Sequence, residues 1–84
     1  MLTGAQMKAA RALVGMEQKT LATRSGVSLP TIQRMETSDG VVRGVIETLM
    51  KVMEALQAAG VEFINEGAIS NGGGRGVRLR RVNN

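Results

Sequence analysis

The chain reads as a series of short apolar-periodic stretches separated by glycine and Ser/Asp punctuation. Thr3-Gly4-Ala5-Gln6 has the spacing of a capping box, in which two side chains satisfy two backbone donors at a helix start. A first helix is therefore predicted from there through the alanine-rich stretch to about Leu13, with Gly15 as its stop. A second helix fits residues 17–25, with Leu21 and Ala22 inward and Gly26 as terminator. Ser28 is a good N-cap for a third, and Pro30 is tolerated in a first turn, where a missing N–H loses nothing. That helix extends to about Thr37, and Ser38-Asp39-Gly40 is turn chemistry. A fourth helix, roughly 44–59, places Ile46, Leu49, Met50, Met53 and Leu56 on one face. The period then shortens to two. Val61-Glu62-Phe63-Ile64 and Val77-Arg78-Leu79-Arg80 read as strands, with Asn71-Gly72-Gly73-Gly74 as loop, so the two form a long-looped hairpin or strand pair. The expected fold is mainly α, divided into a helical part at 1–60 and a strand-, Gly- and Arg-rich segment at 61–84.

Composition narrows the chemistry. The 84 residues include no Cys, His, Trp or Tyr and one aromatic, Phe63. An ordinary zinc site, a thiol nucleophile, a disulfide framework and an imidazole base are all excluded. Base stacking on aromatic platforms has almost nothing to work with. Glu47, Glu54, Glu62 and Glu66 have no His, Cys or Tyr to work with, and their spacing suits solvated faces, so catalysis is rejected. No cofactor is implied. The Gly72–Gly74 run lacks the strand-to-helix context of a phosphate loop. No early basic region precedes an apolar run, and no apolar stretch is long enough to span a bilayer, so a cytoplasmic protein with no membrane partner is expected.

Charge refines this further. The formal net charge is +4, but residues 1–74 hold seven basic and seven acidic side chains. The excess is Arg75, Arg78, Arg80 and Arg81, an Arg-rich stretch that would reach phosphates, pair with acidic residues of a dimer mate, or stay solvated. Residues 18–43 carry +2 and residues 44–66 carry −3, a polarity that would orient the domain on a duplex.

The informative stretch is Gln18 to Glu36. A short helix, a tight turn through Gly26 and a second short helix make a helix-turn-helix, spanning about 17–37. Ala22 is small where the helices cross. Gly26 supplies a positive φ without a Cβ clash. Val27, Ile32 and Met35 fill the space beneath the crossing.

The pattern Gln-x-x-Leu-Ala-x-x-x-Gly-Val-Ser-x-x-Thr-Ile-x-x-x-Glu across Gln18–Glu36 resembles the Cro/CI (Xre-type) helix-turn-helix family of bacterial and phage transcription regulators. The similarity extends to Ala9–Leu13, to Thr48-Leu49 and Gly60–Phe63, and to the end segment Gly76–Arg81. It implies a compact four-helix, lambda-repressor-like DNA-binding domain that acts as a dimer on a two-fold related operator. Two departures stand out. The N-cap of helix two is Glu17, which suits the helix dipole but would lie near DNA phosphates, and the loop Thr37–Arg43 is slightly extended.

On helix three, Ile32 and Met35 must point inward, while Pro30, Gln33, Arg34 and Thr37 share the opposite face with Thr31 on a flank. Such a helix lies in the major groove with base edges at its N-terminal half. Arg34 can pair with guanine O6 and N7, and Gln33 can read adenine or touch backbone. Leu29 and Pro30 offer apolar contact to a thymine methyl, or Leu29 packs under the turn. Gln18, at the start of helix two, can bond a phosphate by side chain and helix N-terminus together. Lys19, Thr31 and Arg43 are further phosphate candidates, with Lys19 and Arg24 equally readable as solubilising surface charges.

Small chains bury only about 60% of their unfolded surface. Oligomerisation is the expected support, and two half-sites multiply affinity. The strand segments 61–65 and 77–81 are the preferred dimer surface, ahead of any part of the helix-four stripe left outside the core. The expected function is a dimeric repressor or autoregulator. The alternative is an antitoxin- or antiactivator-like module that binds a protein partner, its strand tail docking by β-addition and its helix-turn-helix serving autoregulation.

Overall fold

A computed structural model describes residues 2–65 and 72–80. Four helices precede two strands: α1 (Gly4–Val14), α2 (Gln18–Ser25), α3 (Leu29–Glu36), α4 (Ile46–Ala58), β1 (Val61–Ile64) and β2 (Gly76–Leu79). The mainly α architecture with a short strand pair is the one expected.

The local signals act as their chemistry requires. Gln6 N–H donates to Thr3 Oγ1 at 3.0 Å and Thr3 N–H donates to Gln6 Oε1 at 2.9 Å, which are the two halves of a capping box. Gly15 ends α1 in the left-handed region. Ser28 Oγ accepts from Thr31 N–H at 3.4 Å, and Pro30 lies in the first turn of α3. Glu17 caps α2 with extended backbone and no side-chain hydrogen bond.

Helix α4 departs from expectation twice. Gly44 and Val45 stay outside it, and it begins at Ile46 behind an N-cap, Val45, that has no side-chain acceptor to offer. Its buried stripe is Leu49, Val52 and Leu56, whereas Ile46 and Met50 are exposed and Met53 is half-buried. The reason is rotation. At about 100° per residue, Ile46 and Met50 sit roughly a quarter-turn or more from the centre of the buried stripe. The helix packs on α2 through the stripe that contains Val52.

One core joins the helices. Met7 and Ala10 of α1, Leu21 of α2, Ile32 and Met35 of α3, the α4 stripe and Val61 of β1 are all buried. Leu2 and Val42 complete it at one end, where Val42 N–H donates to Leu2 O at 2.7 Å and Thr3 bridges Val41. Gly4 lies where α1 meets the end of α3. A Cβ there would stand 2.8 Å from Glu36 O and 2.9 Å from Met35 O, so no larger residue fits without moving backbone.

Strands β1 and β2 pair antiparallel, Val61 with Leu79, Glu62 with Arg78, Phe63 with Val77 and Ile64 with Gly76. Phe63 and Val77 pack on the core, and the far face carries the Glu62–Arg78 pair. Gln6 ties the open end of the pair to α1, its Nε2 donating to Ile64 O at 3.3 Å and Gly76 O at 3.1 Å. Gly72–Gly74 lie between the strands, whereas Asn71, Glu66 and Arg81 lie outside the described residues.

Candidate nucleic-acid interface

The turn between α2 and α3 is built by three adjacent residues. Gly26 adopts φ 72°, a left-handed conformation that a Cβ would oppose. Ser25 Oγ accepts from Val27 N–H at 3.2 Å and fixes the exit from the turn. Val27 then enters the core beside Leu21, Ile32 and Met35, with Ala22 half-buried at the crossing.

A polar network, unanticipated in the sequence, locks α3 from below. Glu36 closes the helix with its side chain only 1% exposed. Arg11 of α1 grips it with both arms of its fork, Nε to Oε2 at 2.6 Å and Nη2 to Oε1 at 2.7 Å. Arg11 Nη1 also donates to Met16 O at 3.1 Å, and Gln18 Nε2 donates to Glu36 Oε1 at 3.1 Å. The last turn of α3 is thereby joined to α1, to the α1–α2 connection and to the first turn of α2. The hydrogen-bonded Glu36 carboxylate holds the Arg11 guanidinium above its ordinary value. A signal was present: Glu36 follows Ile32 by four residues, on the inward stripe, and a carboxylate there demands a cationic partner.

The opposite face is open. Pro30, Gln33, Arg34 and Thr37 recur at helical spacing and all four are exposed. The Gln33 and Arg34 side chains make no hydrogen bond among the described residues. Leu29 is half-buried, between the two readings open to it. Thr31 is half-buried and its hydroxyl accepts from Ser28 Oγ at 2.8 Å. Gln18 is held by Glu36 through one amide hydrogen and keeps a second for another acceptor. Lys19 is exposed on α2.

Arg43 lies on the loop that follows α3 and comes back beside it in space. With Thr31, Arg34, Val45 and Thr48 it lines a cleft of about 230 Å³, and with Arg34, Ser38 and Asp39 a second of about 290 Å³. The loop thus carries a second guanidinium to the exposed side of α3.

Electrostatics sharpen accordingly. Among the described residues, Arg11, Lys51 and Arg78 are in ion pairs, whereas Lys19, Arg24, Arg34 and Arg43 make none. With Glu36 withdrawn into the core, residues 18–43 expose those four cations against Asp39 alone, a balance of +3 in place of the +2 that counting charges suggests. Among the described residues no group of acidic side chains could hold a metal ion, and no helix is long and apolar enough to cross a membrane.

No curated protein matches the chain. The family model for the helix-turn-helix family HTH_3 matches residues 7–63, from within α1 to within β1, and so includes all of α2, the turn and α3. This Cro/CI/Xre-type family is one of DNA-binding regulators rather than enzymes. The chain belongs to the Cro/CI/Xre-type helix-turn-helix family of DNA-binding regulators.

Proposed function

We propose that this DNA-binding regulator is a sequence-specific, dimeric repressor and autoregulator that reads an inverted-repeat operator with α3 in the major groove. The observation that carries the reading is the two-sided character of α3. One side is fixed by the core and the Arg11–Glu36 pair, and the other presents Pro30, Gln33 and Arg34 without intramolecular partners. A rigid helix with unsatisfied donors on its exposed face is what base-edge readout needs.

The roles follow from reach and chemistry. Arg34 takes guanine O6 and N7, Gln33 takes adenine or a neighbouring phosphate, and Leu29 and Pro30 meet a thymine methyl. Gln18, Lys19, Thr31 and Arg43 hold phosphates, Gln18 with its carboxamide oriented by Glu36. Such contacts to sugar and phosphate set register, and the four on α3 set sequence.

Selection of bound DNA from a random pool tests this directly. The expected result is one enriched motif of two inverted half-sites, centred about one helical turn apart. A pool that stays random after repeated rounds at low salt would end the proposal.

A further inference from the structure

The exposed large apolar side chains are clustered. Val41, Val45, Ile46 and Met50 are 42%, 67%, 63% and 50% exposed and fall within ten residues. The only others among the described residues are Leu13 and Leu79. Ile46 and Met50 sit in the first two turns of α4, and its N-cap Val45 lines the cleft that holds Thr31, Arg34 and Arg43. Val41 lines the second cleft beside Arg34 and Arg43, whereas Ile46 and Met50 lie further round α4.

We infer that this patch receives a second copy of the chain, across a two-fold axis that runs the two α4 helices antiparallel through Ile46 and Met50. The inference rests on the dimeric reading above and adds its interface. Charge complementarity selects the occupant. Glu47 and Lys51 flank the apolar stripe one residue further round the helix, both exposed, and pair within the helix at 3.7 Å. When two such helices run antiparallel, like flanks meet with direction reversed. Glu47 then approaches the partner's Lys51, and Lys51 approaches the partner's Glu47, while Ile46 packs on the partner's Met50. This is the self-complementarity an isologous contact requires. The hairpin is the weaker candidate: Val61 and Phe63 are turned onto the core and the far face is occupied by the Glu62–Arg78 pair. A patch this small belongs at the lower end of interface sizes, so association is weak in solution and shows most clearly as cooperativity on DNA.

The test uses the full chain, with sedimentation for association and anisotropy on the selected operator with one or two half-sites. I46D/M50D is expected to weaken dimerisation roughly tenfold or more, with an unchanged circular dichroism spectrum and unchanged binding to a single half-site. Cooperativity on two half-sites disappears. E47K and K51E each weaken self-association, but an equimolar mixture of the two forms a heterodimer in preference to either homodimer, since both cross-pairs are again of opposite sign. A purely intrahelical role gives no such preference. Retained association in I46D/M50D, or a mixture without heterodimer preference, overturns the inference. So does a wild-type chain that stays monomeric and binds two half-sites independently. Loss of the dimer in Leu79→Asp with I46D/M50D unaffected moves the interface to the hairpin and leaves the operator reading intact. Failure to select any DNA sequence removes that reading, and sedimentation of the same variants still decides the interface.

Discussion

Glu36 ends α3 with its carboxylate inside the protein, and the groups that satisfy it come from α1 and α2. A buried charge robbed of its partner is expensive, and removing one member of such a pair destabilises by about 3–5 kcal/mol. Arg11→Ala is expected to cause a loss of that order in urea unfolding, a large part of the stability of so small a domain. The double replacement Arg11→Met/Glu36→Leu should recover most of it, because it leaves no buried charge unpaired. Arg34 presents the opposite case. Its side chain is exposed and makes no hydrogen bond or ion pair with a described residue, so Arg34→Ala should leave the melting temperature unchanged. Discrimination at one base step per half-site should fall by about 1–3 kcal/mol, read by titrating single-base operator variants.

At the scale of elements, neither the short helices nor the strand pair are independent. Eight-residue helices are unstable alone, and an isolated two-stranded sheet is marginal, so each depends on what it packs against. Gln6 supplies that dependence for the sheet, capping α1 while donating to Ile64 and Gly76. Gln6→Ala should cost about 1–3 kcal/mol overall from lost capping and exposed acceptors. Hydrogen exchange should speed up most in β1 and β2 and least in α3, whose fastenings lie elsewhere. The Glu62–Arg78 pair acts on the same sheet from its solvent side. The Arg78 guanidinium holds the Glu62 carboxyl below its ordinary value of 4.5. The unfolded chain therefore binds the proton first as pH falls. The contribution of the pair is present above the ordinary value and is lost as pH drops through the lowered one. Wild type and Glu62→Gln should accordingly differ in stability at neutral pH, converge below the lowered value, and differ less in high salt.

For the whole molecule, the distribution of charge matters more than its sum. Burial of Glu36 leaves residues 18–43 with four exposed cations against one anion, Asp39, while α4 and β1 are acidic on balance. That asymmetry favours one face of the domain toward a polyanion. Lys19→Ala and Arg43→Ala should weaken binding to all duplexes alike and lower the salt slope by about one per phosphate contact removed. Arg34→Ala, by contrast, should change which duplex is preferred. Affinity measured from 50 to 200 mM salt on matched and scrambled operators separates the two behaviours.

Much of this was legible in local chemistry. The Thr3/Gln6 capping box, the Ser28 cap with Pro30 behind it, the Gly26 turn and the Ile32/Met35 stripe act within four residues, so each element declared itself and its type. The helix-turn-helix and the outward face of α3 follow from the same short-range rules, and the family from the resemblance of the Gln18–Glu36 pattern. Which way α4 turns was not legible, because its apolar residues cover two adjoining faces and packing on α2 chose the one with Val52, leaving Ile46 and Met50 outside. Nor was the meeting of Arg11 with Glu36, which lie 25 residues apart, or the arrival of Arg43 beside Arg34, which depends on the path of the loop between α3 and α4. A sequence specifies its elements through neighbours along the chain. Which buried charge finds which partner, and which cations share a surface, depends on how those elements dock, and that was decided only when they folded together.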